Sequence, residues 1–233
     1  MKTSNLARIL LVAVAAGAAG CTVEKVGTVD LTGVCTWPDD ATACAFSDGC
    51  DAYNLLRYQA YVNVTDGVDT FWNELLVPLE LRNQVFDNAD DTTGTNSNDA
   101  FVESWELSFS SPDLGGGLGS TTYPAVVTRV PAGGNTAVSV ATVVPYTFME
   151  TISTAMTNAG VSGAMVRVDV RAKGHYGSGG SGRAYESGTM QVWVELFNAT
   201  WSGYGCPVAG EVVVAVCPPN ALGQTATVAC EAP

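Results

Sequence analysis

The sequence predicts an all-β fold, an immunoglobulin-like β-sandwich of about eight or nine strands with one short helix. Two features of the chain support this prediction: long stretches alternate between apolar and polar residues, and turn-forming Gly, Pro, Asn and Asp separate them at short intervals. A third is that only one stretch has helical spacing. A β-barrel is the alternative, and prolines within the predicted strands argue against closure.

The strand predictions come from apolar residues spaced two apart. They cover residues 56–65, 74–86, 101–110, 125–130, 138–144, 164–173, 189–197, 211–216 and 225–230. Segments 164–173 and 189–197 indicate a long hairpin with one buried face. Pro78 suggests an edge strand or a bulge. Glu103 falls in phase with the apolar face of its strand, so either this strand begins outside the core or Glu103 is a buried carboxylate with a raised pKa.

Residues 145–159 form the single helix prediction. Apolar residues recur there at i, i+4, i+7 and i+8, namely Phe148, Ile152, Ala155 and Met156. Pro145 suits a first turn and Gly160 a C-terminal stop. We expect this helix to close one end or side of the sheets with its apolar stripe.

The N-terminus has the features of an export signal. Lys2 and Arg8 are positive, and residues 9–19 form an apolar run too short to span a bilayer, which requires about 20 residues. Small residues then precede Cys21. This arrangement resembles the lipobox of bacterial lipoprotein signal peptides, over residues 1–21 only.

The resemblance implies a domain organisation and a location. Residues 1–20 would be a signal peptide, residues 21–34 a lipidated Cys21 with a tether, and residues 35–233 a single disulfide-stapled β domain. Thr22 follows the cysteine, and the absence of Asp there implies the outer membrane, reached through lipid on Cys21. The alternative is an ordinary secretory peptide cleaved near residues 16–18.

The chain has seven cysteines, an odd number for an exported protein. If Cys21 carries lipid, six remain for three disulfides, and these are Cys35, Cys44, Cys50, Cys206, Cys217 and Cys230. They form one N-terminal and one C-terminal cluster of three. If all six pair, at least one bond joins the clusters. A metal site is disfavoured because the chain has no Cys-x-x-Cys and its one histidine lies far from both clusters.

The charge and the motifs exclude several functions. The chain carries −13, and removing Lys2 and Arg8 with the signal peptide makes it −15. Such acidity argues against nucleic acid. No Gly-x-Ser-x-Gly motif occurs, and the glycine-rich residues 177–182 precede a predicted strand rather than the helix of a dinucleotide site. The sequence therefore predicts no enzyme, with a carboxylate-based hydrolase as a distant alternative.

The candidate ligand face lies in the hairpin predicted over residues 164–197. Its outward residues and hairpin tip carry cations and an aromatic ring, namely Arg167, Arg171, Lys173, His175 and Tyr176. We call Arg167, Arg171, Lys173 and His175 the basic strip. Such a strip suits a carboxylate or phosphate of an envelope polymer, with stacking from the tyrosine.

Two structural roles compete with this interpretation of the basic strip. Outward Lys and Arg residues keep a strand from pairing edge to edge with another chain. The two arginines can also form ion pairs within the sheet, with Asp169 or Glu195 as partners.

Residues 87–99 are rich in carboxylates and amides. Calcium binds six to eight hard oxygens, and the candidate ligands are Asp87, Asp90, Asp91 and Asp99. The spacing differs from that of an EF-hand loop, since Ala89 and Asn98 occupy the third and twelfth positions counted from Asp87. The sequence therefore predicts a solvated loop and no cofactor, with calcium as the alternative.

These features together predict a lipid-anchored module of the cell envelope. Its partners would be the membrane, through Cys21, and an envelope glycan, anionic polymer or protein. The alternative is a structural envelope or surface-coat lipoprotein without a discrete ligand site.

Overall fold

The computed structural model describes residues 29–35, 50, 57–65, 69–87, 98–177, 182–201, 212–217 and 227–231. In chain order the strands are β1 (Val29–Val34), β2 (Arg57–Thr65), β3 (Thr70–Trp72), β4 (Leu75–Asn83), β5 (Ala100–Ser111), β6 (Gly116–Val130), β7 (Thr136–Val144), β8 (Gly163–Tyr176), β9 (Ala184–Glu186), β10 (Met190–Trp201), β11 (Val212–Cys217) and β12 (Thr227–Glu231). Helix α1 (Tyr146–Ala159) lies between β7 and β8. Within these ranges no helix has the length and apolar character of a membrane span.

The strands form two main sheets. The smaller sheet has the order β1-β4-β7 and is antiparallel. The larger has the order β3-β2-β10-β8-β5-β6, and β9 pairs with the end of β8. Its strands are antiparallel except for the β2–β10 pair. Strands β11 and β12 pair with each other as a hairpin. The larger sheet curls into a half-barrel in a sandwich-like arrangement, which confirms the all-β sandwich prediction.

The core lies between the sheets and is closed by α1. Strand β5 contributes Trp105, Leu107 and Phe109, all buried. Helix α1 buries Met149, Ile152 and Met156, and the rings of Phe148 and Phe109 stack with centroids 3.8 Å apart. Gly160 ends the helix in the left-handed conformation at φ 68°, where glycine carries no Cβ penalty. The predicted helix and its role in covering the sheets are confirmed.

Pro78 occupies a different place from the predicted edge. It lies in β4, the central strand of the smaller sheet, paired with Val140 of β7. On the other side its carbonyl accepts a hydrogen bond from the Cys35 N–H at 2.9 Å, one residue after β1 ends. Proline has no backbone N–H and therefore cannot donate a hydrogen bond to the neighbouring strand. The interior position is tolerated because the missing N–H falls where the pairing between β1 and β4 ends.

Strand β6 also differs from the prediction. The predicted strand began at residue 125, but the strand in the structure runs over fifteen residues from Gly116 to Val130 and includes a glycine-rich segment. They pair with β5 from Ser111 to Ala100. Pairing with a neighbouring strand overrides weak intrinsic β-propensity, which depends strongly on context.

The described residues contain twelve strands rather than eight or nine. Strands β3 and β9 have three residues each, too few to show an alternation. Strand β1 lies within the stretch assigned to the tether, and its Val29 and Leu31 are buried in the core. The folded domain therefore includes residues from Val29, not only those from Cys35.

One disulfide falls within the described residues. Cys35, directly after β1, is bonded to Cys50. This bond lies within the N-terminal cluster. Cys44 and Cys206 lie outside the described residues, and Cys217 and Cys230 belong to β11 and β12.

Candidate functional site

The basic strip lies on the outer face of the larger sheet, the face turned away from the core. Even-numbered residues of β8 such as Val168 and Val170 are buried, whereas the odd-numbered residues alternate with them and are partly exposed. Arg167, Arg171 and Lys173 therefore share one face, as the strict alternation predicts.

Tyr176 does not belong to this face. It ends β8 on the core side and is only 7% exposed, packing against Tyr185 of β9 with ring centroids 5.2 Å apart. Burial raises the pKa of Tyr176 to about 12, and the Arg183 guanidinium opposes this effect. Its inclusion in the ligand face was wrong, because the residue follows the even, buried phase of the strand.

Acidic residues from neighbouring strands neutralise the centre of the basic strip. The Glu106 carboxylate of β5 lies 3.4 Å from Arg171 and 3.2 Å from Lys173. The Glu186 carboxylate of β9 lies 3.8 Å from Arg171 and 3.9 Å from Lys173. We call these four residues the charge cluster. Two cations and two carboxylates cancel, so the cluster offers no net positive charge to an anion.

Arg167 pairs with Asp169, two residues along the same face of β8, at 3.4 Å. This is one of the two ion pairs anticipated from the sequence. The other anticipated acid, Glu195, instead accepts a hydrogen bond from Gln59 of β2 at 2.9 Å.

A β-bulge turns Glu103 towards His175. The β5–β8 pairing shifts register between Val102 and Ser104, so Glu103 is an additional residue with no opposite partner. It is exposed, and its carboxylate lies 3.1 Å from His175 Nδ1. The bulge reverses the phase of β5: Val102 is buried before it and Trp105 after it. Neither sequence explanation of Glu103 was right, since the strand starts inside the core and the carboxylate is outside it.

A small polar depression opens beside the charge cluster. It has a volume of about 170 Å³ and is lined by Glu106, Ser108, Asp169, Arg171 and Thr189. These residues bring together carboxylates, hydroxyl groups and a guanidinium. The Arg171 guanidinium also donates a hydrogen bond to Thr189 Oγ1 at 3.0 Å.

Two buried polar atoms near the depression lack hydrogen-bond partners among the described residues. They are Arg167 Nε, a donor, and Asp169 Oδ1, an acceptor. Most buried polar atoms in proteins are paired, because an unpaired one costs about 1–3 kcal/mol. The paired atoms of the same two side chains are 3.4 Å apart, a long contact for an ion pair.

Aromatic side chains lie on the same outer face. Trp193 of β10 is directly opposite Arg167 in the strand pairing, and it is partly exposed. Tyr61 and Phe197 meet across β2 and β10 with ring centroids 5.5 Å apart. The outer face therefore offers flat apolar surface as well as polar groups.

Asp99, one of the candidate ligands in the calcium alternative, already contacts other protein groups. It is 1% exposed, lies 2.7 Å from Arg129 Nη2, and accepts a hydrogen bond from the Ala132 N–H at 3.0 Å. Asp87 is exposed, and Asp90 and Asp91 lie outside the described residues. Within the described ranges no three His, Cys, Asp or Glu residues are grouped as metal ligands.

The sequence identified the cations of this site but not their partners. Glu106 lies in the polar phase of the alternation in its strand, so the sequence indicated that it faces outward. Its position beside Arg171 and Lys173 depends on the pairing of β5 with β8, which brings together residues about 65 positions apart. Glu186 comes from a three-residue strand, which is too short to show an alternation of apolar and polar residues.

Comparison with known proteins adds no functional assignment. Neither the family models nor the curated proteins contain a match to this chain.

Proposed function

We propose that this chain is a lipid-anchored binding module of the bacterial cell envelope that binds a glycan on the outer face of its larger sheet. The observation that carries the proposal is the polar depression lined by Glu106, Ser108, Asp169, Arg171 and Thr189. The N-terminal resemblance to a lipobox supports the anchor and an outer-membrane location.

The mixture of groups around the depression favours hydroxyl-rich ligands over anionic ones. A sugar hydroxyl both donates and accepts hydrogen bonds, and the lining supplies acceptors on Glu106 and Asp169 and donors on Arg171. The two cations of the charge cluster, Arg171 and Lys173, already contact carboxylates. An anionic polymer would have to displace those carboxylates, whereas a neutral glycan would not.

The surroundings of the depression support the same ligand class. A hydroxyl group that separated Arg167 from Asp169 could hydrogen-bond to atoms that now lack partners. Trp193 lies on the same face, opposite Arg167. Aromatic side chains combine a large apolar surface with polar surroundings, which suits the apolar face of a sugar ring.

The test fills the depression without removing an ion pair. Ser108 is exposed on β5, and Ser108→Phe places a ring over the depression on a strand that tolerates aromatic residues. Thr136→Phe is the matched control, because Thr136 is an exposed strand residue of the smaller sheet. The full chain in a non-ionic detergent is titrated with a panel of neutral and acidic envelope oligosaccharides.

We expect the unmodified chain and Thr136→Phe to bind an oligosaccharide from the neutral group, and Ser108→Phe to bind it at least about tenfold more weakly. Equal binding by Ser108→Phe would place the ligand elsewhere. Binding of no oligosaccharide by any of the three proteins would overturn the proposal.

A structural envelope protein is the second candidate. The observation favouring it is that the cations of the charge cluster are used in contacts within the sheet. On that view the charged groups of the outer face pair with one another and need no ligand, and the protein acts through its presence and its assembly. Neither candidate assigns a catalytic role to the chain.

A further inference from the structure

The outer edge of β6 is an open edge of the larger sheet. Over its fifteen residues, β6 pairs with β5 on one side, and no other described strand pairs with it. An open edge presents unpaired N–H and C=O groups to which another extended strand can bind. The opposite edge of the sheet is β3, which has only three residues.

This edge lacks the charges that usually protect such strands. Residues 114–128 contain no Asp, Glu, Lys or Arg, although charged residues make up 14% of the chain. Exposed positions in the first half of β6 are instead small or hydroxyl-bearing: Gly117, Gly119, Ser120 and Thr122. Pro124 and the register shift beside it interrupt the regular ladder only in the second half, where residues 125–127 of β6 face the single residue Glu103 of β5.

The second half of the edge exposes apolar side chains. Val126 is 80% exposed and Val127 is 65% exposed. At the other end of the edge, a Cβ atom added to Gly115, Gly116 or Gly117 would meet nothing within 4 Å. One end of the edge thus projects methyl groups, and the other end leaves open space.

These two ends are complementary under a two-fold rotation. If two copies of β6 pair antiparallel about an axis at Thr121, then the bulged segment of one copy, which carries Val126 and Val127, lies beside the glycine-rich segment 115–117 of the other. Ser120 lies opposite Thr122, which is a favourable hydroxyl pair on a strand surface. The valines of each copy then cover the glycines of its partner.

We propose that β6 is a homodimerisation edge, through which two copies of this chain join their larger sheets about a two-fold axis near Thr121. Charge favours a second copy as the occupant. The chain carries −13, so copies repel over most of their surfaces, and residues 114–128 are a stretch where that repulsion is absent. A two-fold contact uses the same surface on both subunits and closes as a dimer.

The test introduces charge at the proposed contact. In Ser120→Lys/Thr122→Lys the new side chains are exposed and would face each other across the axis, where like charges destabilise pairing. Thr136→Lys/Gln191→Lys is the control, because it makes the same charge change at two exposed strand positions outside β6. Sedimentation velocity of the full chain in density-matched non-ionic detergent gives the oligomeric state over a concentration series.

We expect a concentration-dependent dimer for the unmodified chain and the control, and a dissociation constant at least about tenfold higher for Ser120→Lys/Thr122→Lys. A monomer at all concentrations, or an unchanged dimer in that variant, overturns the proposal. If the unmodified chain is a monomer whose edge is occupied only after addition of another protein, the edge belongs to that protein and the proposal is likewise overturned.

A second measurement locates the axis. Thr121→Cys should give a disulfide-linked dimer on a non-reducing gel after mild oxidation, because residue 121 meets its own copy at the axis. Thr136→Cys should remain a monomer on that gel. Equal cross-linking by both variants would contradict the proposed contact.

Discussion

At the residue scale, Asp99 joins three segments that are distant in sequence. Its carboxylate accepts hydrogen bonds from Arg129 Nε at 2.7 Å and from the Ala132 N–H at 3.0 Å. Its carbonyl accepts one from the Gly177 N–H at 2.8 Å. Asp99 thus fixes the start of β5 to the end of β6 and to the residue after β8.

We expect Asp99→Ala to lower the free energy of unfolding by about 2–3 kcal/mol. The buried Ala132 N–H loses its acceptor, which costs about 1–3 kcal/mol. The lost ion pair adds less than a fully buried one, because the Arg129 side chain is 46% exposed. Urea denaturation measures the change. Glu150→Ala, at an exposed carboxylate of α1, serves as the control and should change stability by less than about 0.5 kcal/mol. Equal stability of the two variants would mean that the Asp99 side chain does not hold these segments together.

Glu103 shows where single-residue prediction fails. Its phase in the alternation was clear, and that phase placed it on the core side. One additional residue in β5 shifts the pairing with β8 and turns Glu103 outward towards His175. Bulges depend on how two strands fit together, so a one-strand pattern could not reveal it.

At the element scale, the strands with strict alternation were the ones that the sequence predicted well. Strands β8 and β10 bury every second residue because their pattern follows the pleat of the sheet. Strand β6 was partly missed, since its glycines and hydroxyl residues have no apolar period and depend on β5 for their conformation. For the same reason the sequence predicted only the cations of the candidate site. These lie on β8, whose alternation is strict, whereas the acids come from β5 and β9 and reach the site through strand pairing.

The register of the β11–β12 hairpin limits the disulfide connectivity. Cys217 lies opposite Thr227, and Cys230 lies opposite Val213. The two cysteines are therefore separated by about 10 Å along the hairpin, whereas bonded cysteines have Cα atoms about 4.4–6.8 Å apart. Since Cys35 is bonded to Cys50, a chain in which the remaining four cysteines pair must join Cys44 to the C-terminal hairpin.

We expect one of two connectivities for those four cysteines: Cys44–Cys217 with Cys206–Cys230, or Cys44–Cys230 with Cys206–Cys217. Mass mapping of a non-reducing digest distinguishes them, with the reduced digest as the control. A peptide linking Cys217 directly to Cys230 would contradict the register argument. Free thiols at these positions would contradict the oxidising compartment expected for an exported chain.

At the scale of the whole molecule, the two proposed surfaces lie on the same sheet. The glycan face lies over β5, β8 and the start of β10, and the proposed dimer edge is the free side of β6. Glu106 of the depression is opposite Thr122 in the β5–β6 pairing. Joining two copies at β6 would bring two glycan faces into one continuous sheet, and two linked sites bind a repeating polymer with greater avidity than one.

The attachment of the whole molecule to the membrane is expected to depend on Cys21. Each buried methylene of an acyl chain contributes about 0.8 kcal/mol, so several chains on one cysteine hold a protein firmly. We therefore expect Cys21→Ser to move the protein from the membrane fraction to the soluble fraction of the envelope. Thr22→Ser, which keeps the cysteine and adds no acidic residue after it, should remain in the membrane fraction.

Fractionation with an antibody to the folded domain distinguishes the two sources of membrane association. If Cys21→Ser stays with the membrane, a protein surface and not a lipid makes the attachment, and the lipoprotein interpretation fails. If the unmodified chain is itself soluble, the N-terminus is an ordinary secretory peptide cleaved near residues 16–18, and Cys21 remains as an unmodified cysteine. Release by Cys21→Ser alone is the result that an anchor at this single residue requires.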